Sequence, residues 1–228
     1  MTASLSRRIA AEFLGAGFLV AAVVGSGLRG DRLSGGNVGI ALLANTIATG
    51  AVLIVLILAF GPISGAHLNP AVTLADAMEQ GIAWRDVFSY IAAQCSGAVC
   101  AAVAAHLMFG LPFISLSHHA RSGAPQVFSE FVATFGLLAT IWGCARTRIQ
   151  ALPFAVGAYI TSAYWFTAST SFANPAVMIA RCLSDTFAGI RPADVAPLIA
   201  AQIFGAFCAT ILFRWLAPAI RETAKELL

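Results

Sequence analysis

Ser64-Gly65-Ala66-His67-Leu68-Asn69-Pro70-Ala71-Val72-Thr73 and, 105 positions later, Ser169-Thr170-Ser171-Phe172-Ala173-Asn174-Pro175-Ala176-Val177 decide how this chain is read. Each stretch carries one Asn-Pro-Ala-Val tetrapeptide, with a Ser five residues before the Asn. Asn is a favoured helix N-cap, and Pro is pre-organised for the first helical position. Each copy therefore starts a helix. The helix-like runs that follow are short: Val72 to Ala75 and Val177 to Ala180. Both copies lie in loops between long apolar segments, so the surrounding chain has to explain why a helix starts twice at equivalent places.

The composition is that of a chain built for lipid. Of 228 residues, 59% are hydrophobic and 10% charged, against about 25% charged in a soluble domain. Mean hydropathy is +0.85. A net charge of +3, with no Lys/Arg cluster longer than two, offers nothing to nucleic acid. The cysteines (Cys95, Cys100, Cys144, Cys182, Cys208) are dispersed and form no CxxC pair, which reads as small buried hydrophobes rather than disulfides or metal ligands. Arg7-Arg8 followed by an apolar run imitates a signal peptide, but Glu12 interrupts the run and no convincing cleavage site follows. The run reads as a first membrane span.

Six segments approach the roughly 20 apolar residues that a bilayer crossing requires: about 8–28, 38–60, 87–109, 127–145, 151–168 and 194–216. The first motif falls between spans two and three, the second between spans five and six. Each motif segment is too short to cross and has the size of a re-entrant element. The halves also match one another. Ala11-Glu12-Phe13 resembles Ser129-Glu130-Phe131, and Ala93-Gln94 with Gly97 resembles Ala201-Gln202 with Gly205. Three spans per half is an odd number, so the second half is inverted relative to the first. Repeat 1 covers about 1–115 and repeat 2 about 120–228 of a single domain, 1–228. Inverted repeats place their working site near the midplane, where broken helices meet.

With the N-terminus inside, Arg7, Arg8, Arg85, Arg146, Arg148, Arg214, Arg221 and Lys225 lie on the inner side. Arg29, Arg32, Arg121, Arg181 and Arg191 lie on the outer side. This excess places both termini in the cytoplasm. Between the halves, about 110–126, runs a turn-rich loop with His118-His119. No third ligand is evident, and the pair reads as part of a solvated loop.

Irregular backbone at membrane depth is tolerated only inside protein or beside a water-filled cavity. Two loops dipping from opposite faces meet that condition by lining one pore, their half-helices meeting N-terminus to N-terminus. Each N-terminus carries about +0.5 charge, and the pair repels cations. The Asn side chains then cap their helices through oxygen and donate from the amide into the lumen. Carbonyls of the approach stretches, Ser64 to Leu68 and Ser169 to Ala173, supply acceptors.

These residues, taken together with Glu12, Gln94, Glu130 and Gln202, resemble the aquaporin / major intrinsic protein family over nearly the whole chain. The resemblance implies an all-α membrane protein of aquaporin-like fold, with six transmembrane helices, two re-entrant half-helices and an inverted repeat. It implies a homotetramer in the lipid bilayer of the inner (plasma) membrane, with one passive pore per subunit, no cofactor and no catalytic residues. It assigns Asn69, Pro70, Ala71, Asn174, Pro175 and Ala176 to the pore centre. Glu12 and Glu130, which by themselves read as candidate intramembrane proton carriers or ligand sites, become supports that hydrogen-bond the loop backbones. Gln94 and Gln202 become polar glue between helices. His67 and Phe172 fall in the vestibules.

One departure stands out. Where most of the family has Arg directly after the second Asn-Pro-Ala, this chain has Val177. Spacing puts the other filter positions at Thr49 and Ser171, and at Tyr164 with Ser162 or Ala163 as alternatives. The opening then reads as wide, uncharged and partly apolar. Arg181, one helical turn beyond Val177, either gives the outer vestibule positive potential or caps the half-helix and meets headgroups. The Asn-Pro-Ala-Val pattern also resembles a bacterial AqpS-like branch associated with arsenic resistance. The expected function is a passive channel for small uncharged solutes: glycerol-type polyols, arsenite or methylated arsenicals, and water. The alternatives are an ordinary water channel, a coupled secondary transporter, for which no midplane ion site is visible, and a non-conducting scaffold. No set of catalytic groups converges on the pore, so an enzyme is not expected.

Overall fold

In the computed structural model, residues 3–218 are described, and their regular elements are all helical. The order is α1 (Leu5–Leu33), α2 (Val38–Ser64), α3 (Pro70–Met78), α4 (Trp84–Met108), α5 (Ala124–Thr147), α6 (Leu152–Phe166), α7 (Pro175–Arg181) and α8 (Val195–Leu216). Five of these are long and apolar enough to cross a bilayer: α1, α2, α4, α5 and the Pro192–Leu216 stretch ending in α8. The sixth crossing, α6, has only 15 residues, and a short 3-10 turn at Ile149–Ala151 leads into it. Arg221 and Lys225 lie outside the described residues.

The outward face and the interior invert the pattern of a soluble protein. Large apolar side chains such as Phe18, Phe88, Phe128 and Phe204 point outward, while Glu12, Gln94, Glu130 and Gln202 are fully buried. In water such a surface is a liability, and in lipid it is matched to its solvent. The same inversion corrects the reading of the cysteines. Only Cys182 is buried, and Cys100 is exposed, because an apolar position on a membrane helix can face the lipid as well as the core. Trp84, Trp165 and Trp215 are exposed on the outward surface.

The halves are built alike. α1 packs on α4 and α5 on α8, and α2 packs on α6 across the bundle. Close approach is set by glycine. A Cβ on Gly97 would sit 2.1 Å from the Phe13 carbonyl oxygen, and one on Gly205 would sit 2.5 Å from that of Phe131. Any larger residue at either place would force the helix pair apart. Small residues at helix crossings are the expected device where lipid supplies no hydrophobic drive for helix association. The half-helices cross between halves: α3 packs on α8 as well as α4, and α7 on α4 as well as α8.

The segment between α4 and α5 is not the free loop expected of its turn chemistry. It docks on the turn after α7. Ser115 N donates to Leu183 O (3.0 Å), Ser117 N to Cys182 O (2.9 Å), and Arg191 N to His119 O (2.8 Å). His106, buried at the end of α4, bridges Pro112 O (2.7 Å) and Ser184 Oγ (2.8 Å). Apart from His106 and Pro112, these partners lie far apart in sequence, so no local pattern announces the strap. His118 and His119 are exposed, and His118 Nδ1 meets Asp185 at 3.1 Å. Among the described residues no His/Cys/Asp/Glu group is arranged to hold a metal.

Candidate functional site: a lumen between two re-entrant loops

Both motif stretches run as irregular chain into short helices. Asn69 Oδ1 accepts from Ala71 N (2.9 Å), and Asn174 Oδ1 accepts from Ala176 N (3.0 Å), with Pro70 and Pro175 opening α3 and α7. The approach to each Asn takes left-handed conformations at matched positions. Gly65, Ala66 and Leu68 have φ of 90°, 48° and 50°, and Thr170, Ser171 and Ala173 have 59°, 48° and 48°. For a non-glycine residue this costs about 1–2 kcal/mol. It turns successive carbonyls away from the regular helical direction, and something must hold the backbone there.

The two buried glutamates do so. Glu12 Oε1 accepts from Ser64 Oγ (2.6 Å) and His67 N (3.0 Å), and its Oε2 from Leu68 N (2.7 Å) and Gln94 Nε2 (2.7 Å). Glu130 accepts from Phe172 N (2.9 Å), Ala173 N (2.9 Å) and Gln202 Nε2 (2.6 Å). Hydrogen bonds to a charged acceptor are worth about 1.5–3 kcal/mol each, enough to offset the strained dihedrals. Neither glutamate lines the lumen, and all four oxygens already accept.

A cavity of about 530 Å³ runs between the loops. Arg8, Asp76 and Ile82 bound it at the end that carries the N-terminus. Asn69 and Asn174 sit at its middle, and Val177 and Arg181 lie toward the far end. One wall is polar, formed by the loop segments 64–69 and 171–174. The opposite wall is apolar, with Leu53, Ile57, Leu137, Val156 and Ile160.

The central asparagines correct the expectation that their amides point wholly into the lumen. Asn69 Nδ2 donates to Ala173 O (2.7 Å) and Asn174 Nδ2 to Leu68 O (2.8 Å). Each motif thus clamps the other loop. A primary amide has two N–H groups, so one remains for the lumen at each site. The list of available acceptors shortens as well. Ser64 O takes the Tyr90 hydroxyl (2.9 Å), and Ser169 O takes Arg121 Nη1 (3.3 Å). Among the described residues no protein donor reaches the carbonyls of Gly65, Ala66, His67, Thr170, Ser171 or Phe172. Of these residues Gly65, Ala66, His67, Ser171 and Phe172 line the cavity and form a ladder of unengaged carbonyls along it.

Thr49, Tyr164, Ser171 and Val177 all line the cavity. Thr49 Oγ1 lies 3.3 Å from the Tyr164 hydroxyl, and Ser171 Oγ has no protein partner. Of the span-five alternatives, Ser162 is exposed and Ala163 is absent from the cavity wall. Val156, Ile160 and Tyr164, four residues apart, share the lumen face of α6. His67 Nδ1 is 3.1 Å from Thr73 Oγ1 and its Nε2 is 3.4 Å from Asp76, so His67 is tied to the wall at the end that carries the N-terminus.

Arg181 does not reach headgroups. It is 2% exposed, its Nε donates to Ala188 O, and its guanidinium carbon lies 3.8 Å from the centroid of the Phe172 ring. Sequence reasoning missed Arg121, which it left in a solvated loop. Its side chain turns inward to Gly189 O (3.0 Å), Ser169 O and Thr170 Oγ1 (3.3 Å), and its guanidinium carbon lies 5.3 Å from the same Phe172 ring centroid. Burial pulls the Arg121 guanidinium below its ordinary value. It also missed Trp142, whose ring lines the lumen while its Nε1 donates to Thr210 Oγ1 (3.1 Å). Neither residue lies in a recognisable motif.

A family model described as "Major intrinsic protein" matches residues 1–151, short of the second motif. The chain is similar to the aquaglyceroporin AqpS of Rhizobium meliloti (strain 1021), 52% identical over 226 residues and 97% of each chain. It is also similar to aquaporin NIP1-3 of Oryza sativa subsp. japonica, 32% identical over 233 residues, covering 97% of this chain and 76% of that one. The X-ray structure of the aquaglyceroporin from Plasmodium falciparum has the same fold, with a TM-score of 0.74 at 22% identity, covering 94% of this chain and 98% of that one.

Proposed function

The chain belongs to the major intrinsic protein family, and from that premise we propose that it is a passive transmembrane channel for small uncharged solutes. The observation that carries the reading is the two-faced lumen. A ladder of unengaged loop carbonyls and two asparagine amides faces an apolar wall, with no arginine at Val177. A polyol or a hydroxylated metalloid presents hydroxyls to the ladder and its less polar face to Ile160 and Leu53. An inorganic cation meets the N-termini of α3 and α7, whose partial positive charges repel it.

Asn69, Pro70, Ala71, Asn174, Pro175 and Ala176 form the midplane clamp. Thr49, Tyr164, Ser171 and Val177 form the opening that sets solute size, and His67, Phe172 and Arg181 form the vestibules. Glu12, Glu130, Gln94 and Gln202 hold the loops. Solutes of the glycerol class fit this opening, as do arsenite or methylated arsenicals, by the resemblance of the second motif to the AqpS-like branch. The channel works as a homotetramer in the plasma membrane with both termini cytoplasmic. It is one domain, with repeats of about 1–115 and 120–228.

Flux into vesicles, measured across water, glycerol, urea, arsenite and methylarsenate, tests the reading. Non-saturating flux of several neutral solutes with low activation energy is expected. Flux that saturates and depends on an ion gradient would make the protein a coupled transporter, water flux alone an ordinary water channel, and no flux at all a scaffold. In the same assay Val177→Arg should lower glycerol flux by at least about tenfold, about 1.4 kcal/mol of barrier, and water flux by less. Equal loss of both, or of neither, would remove Val177 from the constriction.

A further inference from the structure

We propose that the outer vestibule holds a binding site for a small tetrahedral oxyanion of the phosphate class, built from Arg181 and Arg121 around the Phe172 ring. A recess of about 300 Å³ is lined by both arginines together with Asn45, His119, Thr170 and Phe187. Arg181 belongs to this recess and to the central lumen alike. It is 2% exposed, yet its Nη1 has no hydrogen-bond partner. A buried guanidinium nitrogen left without an acceptor is costly, and a planar fork of N–H donors is the group best suited to phosphate and carboxylate oxygens.

The protein supplies no directly paired counter-charge: Glu130 acts on both arginines only from a distance. Among the described residues no carboxylate lies within ion-pair distance of either guanidinium. The nearby acids are engaged elsewhere. Glu130 takes the loop N–H groups of Phe172 and Ala173. Asp185 pairs with His118. Asp194 pairs with Arg191 (2.8 Å) and accepts the backbone N–H of Arg121 (2.8 Å). Both guanidinium carbons lie within 5.3 Å of the centroid of one aromatic ring, so two like charges share a small volume that an anion would neutralise. The backbone bonds of Arg181 Nε and Arg121 Nε, to Ala188 O and Gly189 O, fix both heads in place before any ligand arrives. Asn45, one turn outward of Thr49 on α2, puts the site on the outer side of the opening. An anion can bind there without passing it, so the site goes beyond the conduction reading.

Purified full-length protein in phosphate-free maltoside micelles, titrated with inorganic phosphate against chloride at equal ionic strength, tests this directly by calorimetry. Saturable phosphate binding that chloride does not reproduce is expected, weakened by about tenfold or more in Arg121→Gln and Arg181→Gln. Arg85→Gln, an exposed position at the inner end, should bind as the parent does. If Arg181→Gln does not fold, Arg181→Lys keeps the charge and loses the fork, and should also weaken phosphate. No saturable phosphate binding by the parent overturns the proposal. So does phosphate binding no tighter than that of chloride, or an equal loss in Arg85→Gln. Because the measurement requires no transport, its failure leaves the channel reading intact, and absent solute flux leaves the site intact.

Discussion

The two motif loops share a backbone and differ in what surrounds it. In both, the carbonyl of the leading serine is fastened, three residues take left-handed φ, and a buried glutamate gathers the following N–H groups. The fastener differs. Ser64 O is held by the phenol of Tyr90, itself bonded by Arg8 Nε at 2.7 Å, whereas Ser169 O is held by the guanidinium of Arg121. At the end that carries the N-terminus acids stand beside the basic side chains: Arg8 lies 3.4 Å from Asp86, and the His67 ring lies 3.4 Å from Asp76. At the other end Arg121 and Arg181 share an aromatic ring, and among the described residues no carboxylate forms an ion pair with either. The strained backbone that exposes the carbonyls is common to both copies. The charge balance differs between the two ends.

The shared part is the most exposed to disruption. Glu12→Leu strips four donors of an acceptor and Glu130→Leu strips three, at about 1–3 kcal/mol each. Both should lose most of the folded protein, with the deeper loss at Glu12. Thermal unfolding in micelles reads this, and an unchanged midpoint for either variant would break the account of how the loops are held.

The central clamp should respond equally from its two sides. Asn69→Asp and Asn174→Asp each replace a donor with an oxygen facing the opposite loop carbonyl, at about 1–3 kcal/mol, and put negative charge where the half-helices meet. Equal destabilisation and a rise in cation leak through vesicles are expected in both. A leak confined to one variant would show the halves to be unequal at the midplane. Vesicles as tight as the parent's would remove the dipole account of cation exclusion.

The smallest effect concerns the strap, which docks only beside the second loop. The backbone N–H of His118, and then its side chain, hold the Asp185 carboxyl below its ordinary 3.8. A depressed carboxylate contributes stability that is complete above the unfolded value and is lost as pH falls through the folded one. Below about pH 4 the unfolding midpoint of the parent should therefore fall more steeply than that of Asp185→Asn. Parallel curves would mean that the strap adds nothing through this pair.

Much of the molecule could be read without coordinates, because membranes make local sequence informative. Length and hydropathy placed the crossings, Asn-Pro marked the starts of α3 and α7, and the odd count of spans required inversion. The strained approach stretches were only half visible. Gly65 takes left-handed backbone at no steric cost, but Thr170, Ser171 and Ala173 adopt it without any residue that prefers it. Tertiary bonds to Glu130 override their local preference. Arg121 was invisible as a site residue because its acceptors lie 48 and 49 positions away.

The sequence alone determined the two loops, their glutamates and the valine at 177, since each is a residue type at a spacing that one-dimensional pattern preserves. Only the tertiary structure decided that each asparagine spends one amide hydrogen on the other half's loop, and that Arg181 and Arg121 close on one ring. Both facts depend on partners brought together by packing between α3, α7 and the strap. No periodicity in a chain records which distant carbonyl an amide will find.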